Sequence, residues 1–275
     1  MEVVTPLTAL VTLMMSMLSG SLGAMLGIGG GVFLVPFLIL VVGLPFHQAA
    51  AVSLAAVIAS STAVSAATAG RQLINIRLGM VLEVATAAGG LAGGLTALML
   101  TPHTLQIIFA VVALLVAAAV VRGPETPPLP HDADTGLLGG RFTDVRTGHT
   151  VTYAVRRLHV GLIASFLAGN LSTLLGIGGG VVKVPVLVTW CGIPMRVAAA
   201  TSAFMIGVTA TSGAVIYYGH GQMIPALAAS AVLGTQLGSA IGLRAAARAR
   251  ARGLRMLLAG VLVVVAGLMV LRAVR

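Results

Sequence analysis

Long runs of apolar residues alternate with short polar stretches along this chain. Most of these runs approach or exceed the roughly 20 residues that a helix needs to cross a hydrocarbon core. They do not alternate strictly between apolar and polar positions, as the strands of a membrane barrel do. The pattern predicts an all-α membrane protein with apolar segments at 7–26, 48–69, 79–100, 104–121, 158–175, 197–218, 226–243 and 256–271.

The composition agrees with this pattern. Of the 275 residues, 58% are hydrophobic and 8% are charged, and the mean hydropathy is +1.08. A soluble domain carries about a quarter charged residues, so this chain cannot cover a water-facing surface. The net charge of +10 comes mainly from arginines in short loops, without interleaved aromatic residues. We therefore expect contact with a lipid bilayer and no nucleic-acid partner.

A glycine motif occurs twice. Gly-Ile-Gly-Gly-Gly-Val lies at 27–32 and again at 176–181, an offset of 149 residues. At that offset, 22–54 and 171–203 are identical at seventeen of thirty-three positions, whereas chance predicts roughly one position in ten. The chain is therefore interpreted as a duplication.

A polar stretch separates the two halves. Residues 123–154 contain four prolines and four of the six acidic residues of the chain, which is typical of a linker. The predicted organisation is a first membrane repeat at 1–122, a polar cytoplasmic linker at 123–154 and a second membrane repeat at 155–275.

Loop charges predict how the repeats are oriented. The loop 244–255 has five arginines, and its partner at 95–106 has no Lys or Arg. The reverse holds for the loop 70–78, which has two arginines, and its partner at 219–227, which has none. Because Arg marks the cytoplasmic side, equivalent loops are expected on opposite sides of the membrane. This indicates two inverted-topology repeats with an odd number of segments each.

Five helical segments per repeat satisfy this condition. The second segment, at 32–43, has about a dozen residues and is too short to span a bilayer at 1.5 Å per residue. We expect a broken or short half-helix there, directly after the glycine motif. In the first repeat the segments are 7–26, 32–43, 48–69, 79–100 and 104–121.

The paired glycine motifs predict an anion site. Consecutive glycines let backbone N–H groups converge on a negative ligand, and the helix that follows contributes its positive N-terminal end. Two such motifs related by inversion are expected to meet near the midplane of the membrane. The predicted substrate-binding residues are the motif glycines and nearby polar residues: Gly27, Gly29, Gly30, Gly31, Ser53, Asn170, Ser172, Thr173, Gly176, Gly178, Gly179, Gly180, Lys183, Thr201 and Ser202.

Lys183 is the only lysine of the chain and follows Gly180 by three residues. An ammonium group beside a broken membrane helix is costly unless it pairs or faces water. Neutralisation of substrate charge is the functional interpretation, and a snorkelling helix-end lysine is the structural alternative. The hydroxyl residues have a structural alternative too, because membrane-helix hydroxyls commonly bond backbone carbonyls.

Two further features have mainly structural interpretations. Glu83 is expected to pair with Arg77, and a proton-relay role is the alternative, although no second carboxylate lies near it in the sequence. The Gly-x-x-x-Gly spacings at 89–93, 90–94 and 238–242 predict close helix packing, either within one chain or in a homo-oligomer.

No constellation typical of an enzyme is present. The glycine motif lacks the strand and the later acidic residue of a dinucleotide site, and also lacks the P-loop Lys-Ser/Thr. The histidines have no metal-ligand spacing, and Cys191 is the only cysteine, which excludes an intrachain disulfide. We therefore expect no enzymatic activity, no cofactor and no metal.

The doubled motif resembles the sulfite exporter TauE/SafE family, also called the toluene sulfonate uptake permease family. The resemblance rests on Gly-Ile-Gly-Gly-Gly-x-x-x-Val-Pro at 27–36 and 176–185, on Pro45 and Pro194, and on the Ala-Ala-Ala-x-Ser segments at 49–53 and 198–202. It implies secondary transport, with export expected, of sulfite, sulfoacetate or other organosulfonates across a bacterial inner membrane. Transport of another small anion, or a non-transporting assembly role, remain the alternatives.

Overall fold

The computed structural model describes residues 5–68, 73–122, 136–143, 150–246 and 251–274. Within these ranges the chain forms ten helices and one two-stranded hairpin. The first five helices are α1 (Pro6–Leu26), α2 (Gly31–Leu40), α3 (Phe46–Thr68), α4 (Ile76–Met99) and α5 (Pro102–Arg122). The hairpin, β1 (Gly140–Thr143) and β2 (Thr150–Tyr153), is followed by α6 (Leu158–Leu175), α7 (Gly180–Thr189), α8 (Met195–Gly219), α9 (Pro225–Ala246) and α10 (Ala251–Val274).

The predicted all-α membrane fold is confirmed. In the described part of the chain, six helices are long and apolar enough to cross a membrane, and these are α1, α3, α4, α6, α8 and α9. The helices α5 and α10 have 21 and 24 residues, which at 1.5 Å per residue is also about the thickness of a bilayer core. The chain is therefore a multi-pass membrane protein.

The glycine motifs end one helix and begin a short one in each repeat. Gly27 and Gly176 follow α1 and α6 with φ of 71° and 70°, a left-handed conformation that glycine adopts without strain. The helices α2 and α7 that follow have ten residues each, or about 15 Å. The predicted half-helices are confirmed.

The repeats interlock. The first helix of each repeat packs against the fourth helix of the other, so that α1 lies on α9 and α6 lies on α4. The third helices α3 and α8 pack against each other, and so do the fifth helices α5 and α10. Each repeat therefore completes the packing of the other.

Glycines make the α1–α9 and α4–α6 contacts close. A Cβ atom on Gly89 would overlap the backbone carbonyl of Phe166, and one on Gly238 would overlap that of Met17. These two contacts are equivalent under the 149-residue offset. The close packing predicted from the Gly-x-x-x-Gly spacings is confirmed at 89–93 and 238–242, and these contacts lie within one chain.

The stretch 123–154, predicted to be a linker, includes a hairpin that the sequence did not predict. Its side chains Phe142 and Tyr153 are buried against Leu78 and Leu82 of α4. Asn75, which begins α4 by accepting a hydrogen bond from the Leu78 amide, also donates one to the Tyr153 hydroxyl oxygen at 3.1 Å. Burial raises the pKa of the Tyr153 hydroxyl above its usual range.

Candidate functional site

The two glycine motifs meet in the interior of the protein. A Cβ atom on Gly31 would lie 2.5 Å from the carbonyl oxygen of Gly176, and one on Gly180 would lie 2.7 Å from that of Gly27. Both distances are shorter than a van der Waals contact, so the backbones touch and only glycine fits. The two stretches that the sequence singled out are thus adjacent, although 149 residues separate them.

The seam between the motifs is closed by apolar atoms. Val57 of α3 and Ile206 of α8, which occupy equivalent repeat positions, both lie within 3.5 Å of the Cβ positions of Gly29 and Gly178. Apolar side chains therefore fill the space directly over these two glycines in this structure.

Several backbone amides of the two motifs lack a hydrogen-bond acceptor within the described structure. Among the described residues, the N–H groups of Gly29, Gly30, Gly178 and Gly179 have no hydrogen-bond acceptor. The first amides of a helix lack intrahelical acceptors, and those of α2 and α7 lie at the positive ends of their helices. Two donor-rich loops therefore flank the seam.

Lys183 lies beside the second motif. Its side chain is 1% exposed, and its Cε atom is 3.4 Å from the Cβ position of Gly179. The Nζ atom is 3.8 Å from Oε2 of Glu83 and donates a hydrogen bond of 3.4 Å to Oγ1 of Thr209. The ammonium group is therefore buried in the interior and does not snorkel to the surface.

Glu83 is the counter-charge of Lys183. Its Oε1 atom accepts a hydrogen bond of 2.8 Å from Thr209, whereas its buried Oε2 atom has no hydrogen-bond partner in the described structure. The expected pairing of Glu83 with Arg77 is wrong. One signal for this pair was available in the sequence: Glu83 is the only acidic residue inside an apolar segment and Lys183 is the only lysine, and buried charges of opposite sign are expected to pair.

The ion pair breaks the symmetry of the repeats. At the 149-residue offset, Lys183 and Glu83 correspond to the apolar residues Leu34 and Val232. On that opposite flank lies a crevice that is too narrow to hold a water molecule. Its lining includes Gly27, Gly29, Ser60, Ser61 and Ala203. Charge is thus concentrated at the flank of the second motif.

The predicted hydroxyl residues fall into two groups. Ser53 donates a hydrogen bond of 2.6 Å to the carbonyl oxygen of Gly176, and Thr201 accepts one of 2.9 Å from the Asn75 amide at the start of α4. These two hydroxyls connect backbone segments. Within the described structure, the buried hydroxyl oxygens of Ser172, Thr173 and Ser202 have no hydrogen-bond partner. They therefore remain candidates for contact with a ligand.

Asn170 lies at the α4–α6 contact. Its backbone carbonyl is the group that a Cβ atom on Gly93 would overlap, and the residue is half-buried. Asn170 therefore has a packing role through its backbone.

Comparison with known protein families finds one family whose sequence model matches this chain. The sequence model of the family described as "Sulfite exporter TauE/SafE" matches residues 12–269. The chain is 25% identical over 242 residues to "Probable membrane transporter protein YunE" of Bacillus subtilis (strain 168), covering 84% of this chain and 87% of the relative. It is 47% identical over 55 residues, 20% of this chain and 13% of the relative, to "Sulfite exporter TauE/SafE family protein 6" of Arabidopsis thaliana. No solved structure matches the chain.

Proposed function

The chain belongs to the sulfite exporter TauE/SafE family, and from this premise we propose that it exports small sulfur-containing anions across a bacterial inner membrane. Sulfite, sulfoacetate and other organosulfonates are the proposed substrates. The resemblance to a membrane transporter over most of both chains and the six apolar helices agree with a membrane transporter.

The observation that carries the proposal is the position of Lys183 beside the second glycine motif. Three kinds of hydrogen-bond donor occur on α7, on the loop before it and on α6. They are the buried ammonium group of Lys183 on α7, the unpaired amides of Gly178 and Gly179 in the loop, and the unpaired hydroxyls of Ser172 and Thr173 on α6. A sulfonate has three oxygen acceptors and one negative charge. Charge-assisted hydrogen bonds and a helix N-terminus are suited to such a group.

Ligand-dependent thermal stability tests the substrate class. The purified protein is expected to unfold at a higher temperature with sulfite, sulfoacetate, sulfolactate or isethionate, because a ligand that binds the folded state stabilises it in proportion to the logarithm of its concentration over Kd. Sulfate and lactate serve as comparison anions. A shift with lactate alone would indicate a carboxylate transporter, and no shift with any anion would indicate an assembly protein.

The Lys183→Met/Glu83→Gln double variant is the matched negative control for this screen. It removes both charges together, so that no buried charge is left unpaired. Because Glu83→Gln alone removes the competing carboxylate, this single variant is the reference for the double variant. Loss of a charge-assisted contact costs about 1–3 kcal/mol, so anion affinity in the double variant should be roughly 10- to 100-fold lower than in Glu83→Gln. Equal affinity of these two variants would exclude Lys183 from the site.

We further infer that the repeats are inverted, an arrangement found in many alternating-access transporters. The glycines Gly79, Gly90 and Gly94 of α4 lie in the same order against Thr201, Ser212 and Ile216 of α8, which supports parallel α4 and α8. The loop 220–224 spans about 20 Å at most, which is shorter than the length of about 33 Å of the 22-residue helix α9. The chain cannot return across the bilayer within this loop, so α9 runs antiparallel to α8. Since α4 and α8 are parallel, the equivalent helices α4 and α9 run in opposite directions.

Cysteine labelling tests this inversion. Thr101 and Ala245 are exposed residues at the C-terminal ends of α4 and α9, and each is replaced by Cys in a Cys191→Ser background. With a membrane-impermeant reagent we expect Ala245→Cys to react from the cytoplasmic side, where Arg244 places it, and Thr101→Cys from the opposite side. Reaction of both variants from the same side would contradict the inversion.

A further inference from the structure

Glu83 occupies the place next to Lys183 that an anionic substrate would need. This inference rests on the proposed function: we propose that the transported anion displaces Glu83 from Lys183, and that Glu83 takes up one proton when it loses this partner. Anion and proton then cross the membrane together, so a monovalent anion moves without net charge, and export requires an outward anion gradient that exceeds the inward proton gradient. Glu83 is thus assigned as the coupling residue of the transporter.

The geometry shows a pair that can separate. The distance of 3.8 Å between Nζ of Lys183 and Oε2 of Glu83 is too long for a hydrogen bond. Glu83 is held by its other oxygen, through the hydrogen bond from Thr209. The Oε2 atom is therefore available as a proton acceptor, and a carboxyl proton there would leave the Thr209 contact in place.

Charge balance makes the proton necessary. Before binding, the ammonium and the carboxylate sum to zero in a site where Lys183 is 1% and Glu83 12% exposed. A monovalent anion at Lys183 would leave one uncompensated negative charge, which is costly in a poorly solvated interior. A proton that moves from water to Oε2 of Glu83 restores neutrality without any covalent change in the anion.

Lys183 is the charged group that reaches Glu83 in the described structure. The other charged or titratable groups on the elements packed against α4 lie towards the helix ends. The exposed groups among them are Arg77 of α4, Arg157 and His159 of α6, Arg196, Tyr218 and His220 of α8, and Arg141 of the hairpin. Tyr217 of α8, Tyr153 of β2 and Cys191 are buried, and no contact of theirs with Glu83 occurs among the described side chains. A pH effect that depends on Glu83 can therefore be assigned to this pair.

The test is the pH dependence of anion affinity. Methanesulfonate and isethionate are suitable probes because they are monovalent and keep their charge from about pH 6 to about pH 8.5. Binding that takes up one proton weakens as pH rises, with Kd increasing tenfold per pH unit where free Glu83 is charged. Calorimetry in buffers of different ionisation enthalpy should give an uptake of one proton per anion.

Glu83→Gln is the decisive variant. Gln cannot be charged but can keep the hydrogen bond from Thr209, so we expect proton uptake to vanish and Kd to become independent of pH. Affinity near pH 8 should rise above that of the parent protein, since no carboxylate has to be displaced. Arg77→Gln, an exposed change on the same helix, should keep the parent pH profile.

The outcomes separate this inference from the proposed function. If the parent protein binds a sulfonate with a Kd independent of pH, or if Glu83→Gln keeps the parent pH dependence, the coupling role of Glu83 is overturned and the transport proposal stands. If the parent protein binds none of the tested anions, the proposed function fails, and the coupling inference fails with it.

Discussion

Replacement of Lys183 by Met should lower the free energy of unfolding by about 3–5 kcal/mol near neutral pH, because it leaves the Glu83 carboxylate buried without a counter-charge. Met has a similar length and fills a similar volume, so little packing is lost. The deficit should shrink as pH falls, since a protonated Glu83 no longer needs a cation. Reversible denaturation in detergent micelles over a range of pH measures both effects.

A second substitution distinguishes an unpaired charge from lost packing as the cause of this destabilisation. Adding Glu83→Gln to Lys183→Met removes the unpaired charge and should recover most of the lost stability, because a neutral pair of this size is tolerated in an apolar interior. Arg77→Met, on the exposed side of α4, should change stability by less than about 0.5 kcal/mol. A double variant as unstable as Lys183→Met alone would show that packing, not charge, explains the loss.

Gly180→Ala and Gly31→Ala should each destabilise the protein by about 1–3 kcal/mol through overpacking. The added methyl groups would lie 2.7 Å from the carbonyl oxygen of Gly27 and 2.5 Å from that of Gly176, and the opposing atoms are backbone. To admit either methyl group the two motifs must move apart. We therefore also expect the anion-dependent rise in unfolding temperature to be reduced.

Gly260→Ala and Gly267→Ala are the matched controls for this prediction. Both glycines lie inside α10, and a Cβ atom at either position meets no heavy atom within 4 Å. Alanine should be neutral or stabilise by up to about 1 kcal/mol there, since it is the better helix former. If Gly180→Ala is as stable as Gly260→Ala, the motifs do not touch as described.

Most of the membrane fold followed from hydrophobic patterning. The lengths of the apolar segments predicted the long helices. The glycine motifs that follow 7–26 and 158–175 predicted the helix ends and the short helices α2 and α7. Both features depend on local sequence. The reciprocal packing of α1 on α9 and α6 on α4 did not follow. It depends on which small-residue faces meet in three dimensions, and the Gly-x-x-x-Gly spacings alone fit either an internal contact or a subunit contact.

The candidate site was predicted in part. The duplicated motif identified the two loops that meet, and the single lysine identified the buried cation. The partner of Lys183 was missed because Glu83 is 100 residues away in sequence and Arg77 lies closer along its own helix. The closed seam over Gly29 and Gly178 was missed as well, since Val57 and Ile206 appear in the sequence as ordinary apolar helix residues.

A structure determined with a bound heavy-atom sulfonate, such as an iodinated benzenesulfonate, tests the central claim most directly. The account predicts sulfonate density within hydrogen-bond distance of the Gly178 and Gly179 amides and of Nζ of Lys183, with Glu83 moved away from Lys183. Density bound elsewhere, with the Lys183–Glu83 pair intact and the second glycine motif unoccupied at saturating ligand, would contradict it.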